Sequence, residues 1–200
     1  MILRLLKIFN SAKILRQLKR STTLSGKACL LELRKKYSKY TSINDAEFKV
    51  FSQNGEDGII DFLLDGLSIH RAKYIEIGTE DYSEANTRFL YESSNANGLI
   101  IDDSLDLKIL SNEINLWKGR IIAVKEKVKP DNIISILKKN NFLNNIDLFS
   151  LDIDGVDYWI IKELPKKISK IFVAEFNPVF GPDLEITTPN IENFDRTKYH

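Results

Sequence analysis

Two hundred residues, 43% apolar and 28% charged, suffice for one domain with its own core plus a small appendage, in proportions ordinary for a globular chain. A single cysteine, Cys29, excludes an internal disulfide framework, and no run of about 18 apolar residues offers a membrane-spanning helix. The net charge of +1 conceals an asymmetry: residues 1–40 carry 11 Lys/Arg against one acid, Glu32, a net of +10, which leaves −9 for residues 41–200.

Residues 1–45 read as a basic helical extension. Ile2, Leu5, Leu6 and Phe9 share one helical face; past Asn10-Ser11 the apolar set becomes Ile14, Leu15 and Leu18, away from Lys13, Arg16 and Arg20. The stripe changes side at that break, which predicts two short amphipathic helices. Arg4 and Lys7 interrupt the apolar start, and no small-residue cleavage site follows, so it does not read as a secretory signal. Such an extension packs on the body or on a partner, or lies on anionic lipid. Nucleic acid is not expected, because no aromatic-and-basic platform accompanies the charge. The expected location is the cytoplasm, with peripheral attachment to the inner face of the membrane through residues 1–40 as the alternative.

Residues 46–200 change character. Gly55–Leu67 carries a helical apolar stripe at 59, 60, 63, 64 and 67. Five short apolar runs follow, at 74–78, 98–102, 120–124, 147–154 and 170–176, separated by helical patterns at 84–94, 105–117, 131–140 and 156–164. Strands alternating with helices of this length predict right-handed crossovers and a mostly parallel sheet covered on both faces. The fold class is therefore α/β, and its expected form is a Rossmann-like three-layer sandwich with strand order 3-2-1-4-5. The pattern stops after the fifth strand, where this fold adds a helix and an antiparallel pair. The domain is expected to be incomplete at its C-terminus, with Ile171–Phe176 an apolar, unpaired edge open to oligomerisation.

In an open parallel sheet the ligand lies outside the C-terminal strand ends. Four of the five runs finish in acid there: Glu76; Asp102 and Asp103; Asp152 and Asp154; Glu175. Gathered around one crevice these carboxylates should raise each other's pKa, and they invite a positive ligand, a metal or both. The bland alternative is that each acid caps the helix that follows it. The first turn, Glu76-Ile77-Gly78-Thr79-Glu80-Asp81-Tyr82, holds one glycine and two carboxylates where a dinucleotide site needs a glycine-rich phosphate loop. S-adenosylmethionine (SAM), which has no phosphate and carries a sulfonium and an ammonium, suits this turn. Asp102, ending the second strand, stands where a ribose diol would be held.

These residues resemble the FkbM-like SAM-dependent methyltransferases, which are common in bacterial surface-glycan and natural-product gene clusters. The resemblance runs from Phe51 to about Tyr199 and rests on Ser52-Gln53-Asn54-Gly55-Glu56-Asp57, Glu76-Ile77-Gly78, Asn86-Thr87-Arg88, Gly98-Leu99-Ile100-Ile101-Asp102, Ser150–Trp159 and Val173-Ala174-Glu175-Phe176-Asn177. It implies SAM-dependent methyl transfer to a hydroxyl of a glycan or related small metabolite, with Glu76, Gly78, Thr79, Asp81 and Asp102 binding SAM and Asp152 or Asp154 beside the methyl donor as base or orienting group. Similarity to the divalent-metal O-methyltransferases adds a possible Mg²⁺ set of Asp152, Glu175 and Asn177. Tyr82 departs from the pattern where such turns often carry a second glycine, a bulk that counts against unobstructed SAM binding.

Two rivals remain at this level. One is a degenerate Rossmann-like module that binds SAM or a partner without turnover, favoured by Tyr82 and the missing strands. The other reads Asp152-x-Asp154 as the metal site of a sugar-nucleotide glycosyltransferase, a pattern unsupported elsewhere in the chain. His70 reads as a surface or core-edge residue, Tyr158 and Trp159 as core, and Cys29 has no assigned role.

Overall fold

The computed structural model describes residues 2–108, 110, 114, 121–153, 155–176, 179, 181 and 183–191, without the side chains of 2–13, 15 and 16. The basic extension forms one continuous helix, α1 (Ile2–Arg34), rather than the two short helices expected. Asn10 and Ser11 each weaken a helix by only a few tenths of a kcal/mol relative to better formers, and a stripe that changes side does not interrupt backbone hydrogen bonding. The C-terminal half of α1 packs on the body through Thr23, Gly26 and Leu30. Gly26 is there for closeness: a Cβ would stand 2.9 Å from a Val50 methyl and 3.0 Å from the Phe89 ring. Arg34 then forks onto Asp61 at 2.9 and 2.6 Å, and the buried Tyr37 hydroxyl donates to the same carboxylate at 2.8 Å.

The body alternates as predicted: α2 (Glu56–Gly66), β1 (Lys73–Ile77), α3 (Arg88–Ser93), β2 (Asn97–Ile101), β3 (Ile121–Val124), α4 (Ile133–Lys139), β4 (Ile146–Leu151), α5 (Asp157–Glu163) and β5 (Ser169–Ala174). The helical pattern at 105–117 falls mostly outside the described residues. The five strands form one all-parallel sheet in the order β3-β2-β1-β4-β5, the expected Rossmann-like arrangement. Because side chains alternate along a strand, each central strand feeds two cores. Tyr74, Ile100 and Leu148 join Ile60, Leu64 and Tyr91 on one face; Ile75, Leu99, Phe149 and Leu151 join Ile133, Leu137 and Ile160 on the other. Gly98 lies opposite Tyr74 in the ladder, and a Cβ there would stand 2.1 Å from the Tyr74 ring. The ring fills the space that the glycine leaves, a pairing that protects a glycine inside a strand.

Parallel pairing brings all five C-terminal strand ends to one edge of the sheet. Strand order reverses between β1 and β4 at the centre of that edge, and the crevice opens there.

Candidate functional site

A cleft of about 1050 Å³ occupies this edge. It is lined by the ends of β1, β2, β4 and β5, by the segment after β3, by Gln53 and Asn54 ahead of α2, and by Glu56 at its start. Ten of its described lining residues are acidic and one, Lys127, is basic.

The front wall is built by a buried carboxylate. Asp57, in the first turn of α2, accepts the backbone N–H groups of Val50, Phe51 and Ser52 on one oxygen at 2.7, 2.7 and 3.0 Å, while its own N–H donates to the Ser52 hydroxyl. Burial pushes its pKa up, against the pull of those three donors. The staple fixes the loop that presents Gln53 and Asn54, and Gly55, at φ +103, turns the chain into α2. Glu56 accepts the Asn54 N–H at 2.7 Å and lines the cleft.

Glu76 sits on β1 beneath the floor, 3% exposed. One oxygen accepts the Asn86 N–H at 2.7 Å; the other accepts the Thr87 N–H at 2.9 Å and the Thr87 hydroxyl. It therefore holds the turn that starts α3, which also explains why that helix begins at Arg88 rather than near residue 84. Burial pushes its pKa up to about 7, opposed by the Thr87 and Asn86 hydrogen bonds and reinforced by nearby Asp57. The expected mutual repulsion among strand-end acids is not what shifts Glu76; desolvation is the largest cause. Asn86 also donates its side-chain amide to the Ser150 hydroxyl on β4 at 3.1 Å, tying the two central strands together beside the cleft.

The β1 turn is a run of left-handed residues: Gly78 at φ +85, Glu80 at +46 and Tyr82 at +64. Gly78 is required by the neighbouring chain rather than by a ligand, since a Cβ would stand 1.5 Å from the Asp152 carbonyl oxygen. Thr79 is 1% exposed, and its hydroxyl, in a residue lining the cleft, has no hydrogen-bond partner. Asp81 accepts the Ser83 N–H at 2.8 Å, and hydrogen bonding from Ser83 holds its carboxyl below the usual range. Tyr82 does not crowd the cleft. It is fully buried, and its hydroxyl joins those of Tyr74 at 3.0 Å and Thr87 at 2.8 Å. The left-handed backbone at 82 turns the ring into the core, which corrects the expectation that its bulk would obstruct a ligand.

Asp102, half-buried at the end of β2, clamps two loops. One oxygen accepts the Glu80 N–H at 2.8 Å; the other accepts the Ser104 N–H at 2.7 Å and the Ser104 hydroxyl at 2.6 Å. A carboxylate has about four acceptor positions, so roughly one remains for a ligand.

The Asp152, Asp154, Asp157 constellation separates. Asp152 is exposed at the cleft. Asp157 turns back on its own loop, accepting the N–H groups of Ile153 at 3.1 Å and Gly155 at 3.0 Å. Asp154 and Asn177 lie outside the described residues, while Glu175 is exposed at the cleft. Among the described residues no three His, Cys, Asp or Glu side chains gather to hold a metal, and Asn177, the third member of the expected Mg²⁺ set, is not among them. Tyr158 and Trp159 are not core as expected: Tyr158 is 49% exposed, and the Trp159 indole N–H donates to the Thr188 carbonyl at 2.8 Å. The Thr188 hydroxyl donates in turn to the Gly155 carbonyl, so the segment after β5 folds back beside the cleft.

Glu76, Gly78, Thr79, Asp81, Asp102, Asp152 and Glu175 thus all line one cleft. Residue-level reading missed Glu126 and Lys127, which line the cleft beyond the third run without a strand-end acid to mark them. Comparison with family models, with characterised proteins and with solved structures found no match for this chain.

Proposed function

We propose that the chain binds SAM at the C-terminal edge of its sheet and transfers the methyl group to a hydroxyl of a glycan or related small molecule. One observation carries this reading: the cleft at the strand-order reversal sets ten acidic lining residues against one lysine. A dinucleotide pyrophosphate would be repelled there, and the one glycine of the β1 turn is already taken up by the Asp152 carbonyl. A sulfonium and an ammonium gain from the same field. The unpartnered Thr79 hydroxyl and the remaining acceptor position of Asp102 supply uncharged and charged hydrogen-bonding groups for such a molecule.

SAM supplies an activated methyl group when bound. On the protein's side, Thr79 and Asp102 bind and orient, and the wall stapled by Asp57 narrows the access of water. Asp152, exposed at the end of β4, orients the acceptor hydroxyl or accepts its proton, a contribution of roughly 10²–10⁴-fold for a well-positioned base.

Calorimetric titration with SAM tests the reading. Asp102→Ala should lose charge-assisted bonds worth about 1.5–3 kcal/mol, a 10- to 150-fold weaker Kd, whereas Asp103→Ala, on the neighbouring exposed position, should stay within a few-fold. Asp152→Asn should keep SAM affinity within a few-fold and abolish transfer. A protein that binds no SAM sinks the proposal. A second reading, a module that binds without turnover, is favoured by the internal engagement of Glu76 and most of Asp102; SAM binding without transfer to any hydroxylated acceptor would select it.

A further inference from the structure

We infer that Glu76 is a positioning residue: its ionised form seats Asn86 in the wall of the cleft, and its protonation loosens that wall. The ligand coupled to this latch rests on the SAM reading; the latch itself rests on geometry.

The carboxylate is the end point of a buried chain of donors. Thr87 gives its hydroxyl hydrogen to Glu76, and each hydroxyl carries one hydrogen. The Thr87 oxygen must therefore accept from Tyr82 at 2.8 Å, and the Tyr82 oxygen from Tyr74 at 3.0 Å. The N–H groups of Asn86 and Thr87 also point at the carboxylate, at 2.7 and 2.9 Å. A proton on the oxygen facing Asn86 would meet that N–H head on. A proton on the other oxygen would reverse the chain and turn its last hydrogen, on Tyr74, into an apolar cluster that includes Ile60, Ile100 and Leu148. Either protonated form gives up part of the hold on the Asn86-Thr87 turn.

That turn reaches the ligand. Asn86 lines the cleft, and its side-chain amide spans to Ser150 on β4 at 3.1 Å, across the point where strand order reverses. Burial favours the proton on Glu76, the donors of Thr87 and Asn86 oppose it, and the balance falls at about 7. Its partners in the ladder, Ile100 on β2 and Ser150 on β4, carry no charge. The titratable groups around it are Asp57 from α2, Tyr74 on β1 and Tyr82 on the turn that follows. From α3 comes Arg88, whose guanidinium reaches the Tyr82 carbonyl and Glu92, each at 3.3 Å. Among the described residues no histidine or cysteine lines the cleft.

Two measurements test the latch. In the ligand-free protein, the Asn86 side-chain amide signals, followed by NMR from about pH 5.5 to 8.5, should titrate with a midpoint near 7 and stay flat in Glu76→Gln. Thr87→Val keeps the carboxylate but removes one donor, and should move that midpoint upward. Calorimetry with SAM should show parental affinity rising about fivefold or more between about pH 6 and 8 relative to Glu76→Gln, because the competent fraction grows as Glu76 ionises. The variant carries any titration of SAM itself. A flat Asn86 signal in the parent, an unchanged midpoint in Thr87→Val, or parallel affinity profiles for parent and Glu76→Gln overturns the inference and leaves the SAM reading standing. Failure of SAM to bind overturns the reading beneath it, and the Asn86 titration still decides the latch.

Discussion

At the scale of single residues, the most informative side chain is Glu76, a carboxylate fully enclosed beneath a cleft and engaged by three donors of the Asn86-Thr87 turn. An acid whose pKa rises on folding, here to about 7 from an ordinary value of 4.5, makes the native state bind a proton that the unfolded chain has released. Its contribution to stability is therefore greatest below about pH 4.5, declines as pH rises toward 7 and then levels off, a loss on the order of a few kcal/mol. Thermal melts between pH 5 and 8 should show this decline, and Glu76→Gln should flatten it; an identical slope in the variant would assign the effect elsewhere. Gly78 gives a sharper case. Gly78→Ala would set a methyl against the Asp152 carbonyl at φ +85 and should destabilise by about 3 kcal/mol or more, measured by denaturant unfolding. Tyr82→Phe should cost about 1–2 kcal/mol through the hydroxyls of Tyr74 and Thr87 that it leaves, yet keep ligand affinity, because the ring faces the core.

At the scale of elements, α1 and the loop ahead of α2 show how charge and packing are divided. The half of α1 that touches the body uses Gly26, Leu30 and the Arg34–Asp61 fork, while Ile14, Leu18, Leu24 and Leu31 remain exposed on a helix rich in lysine and arginine. Among the described residues no helix is long and apolar enough to cross a membrane. We propose that this exposed face meets anionic lipid at the surface. Co-sedimentation with anionic vesicles should then fall steeply between low and physiological salt, and equal binding to neutral vesicles, or none to either, would remove the idea. The sequence blocks behind the resemblance divide as well. Ser52 and Asp57 staple a loop, whereas Gln53, Asn54 and Glu56 between them face the cleft. Spacing alone does not separate those two roles, because neighbouring polar residues in a turn point to opposite sides.

At the scale of the whole molecule, the sheet has a consequence for assembly. β5 is an edge strand with no further strand beside it among the described residues, and it exposes Phe172 at 39%. An unpaired edge with a large apolar side chain recruits other strands. Sedimentation velocity over a concentration series should show self-association of the 200-residue chain, and Phe172→Lys should suppress it; a monodisperse monomer at all concentrations would show the edge to be protected.

The alternation of apolar runs and helical stripes was enough to specify five parallel strands and the edge where acids collect, because burial on both faces of a parallel sheet leaves a strong periodic signal in each segment. Their order came from the Rossmann-like class expected, not from the pattern. The cleft-lining positions Glu76, Thr79, Asp102, Asp152 and Glu175 were legible for the same reason: a strand end is a local feature. What each does was decided by tertiary structure. Glu76 turned inward to Asn86 and Thr87, Asp102 to Glu80 and Ser104, and Asp157 to its own loop, while Asp152 and Glu175 are exposed along the cleft. A carboxylate's role depends on which unpaired donors the fold carries to within about 3 Å of it, and those donors come from segments whose approach no local pattern encodes.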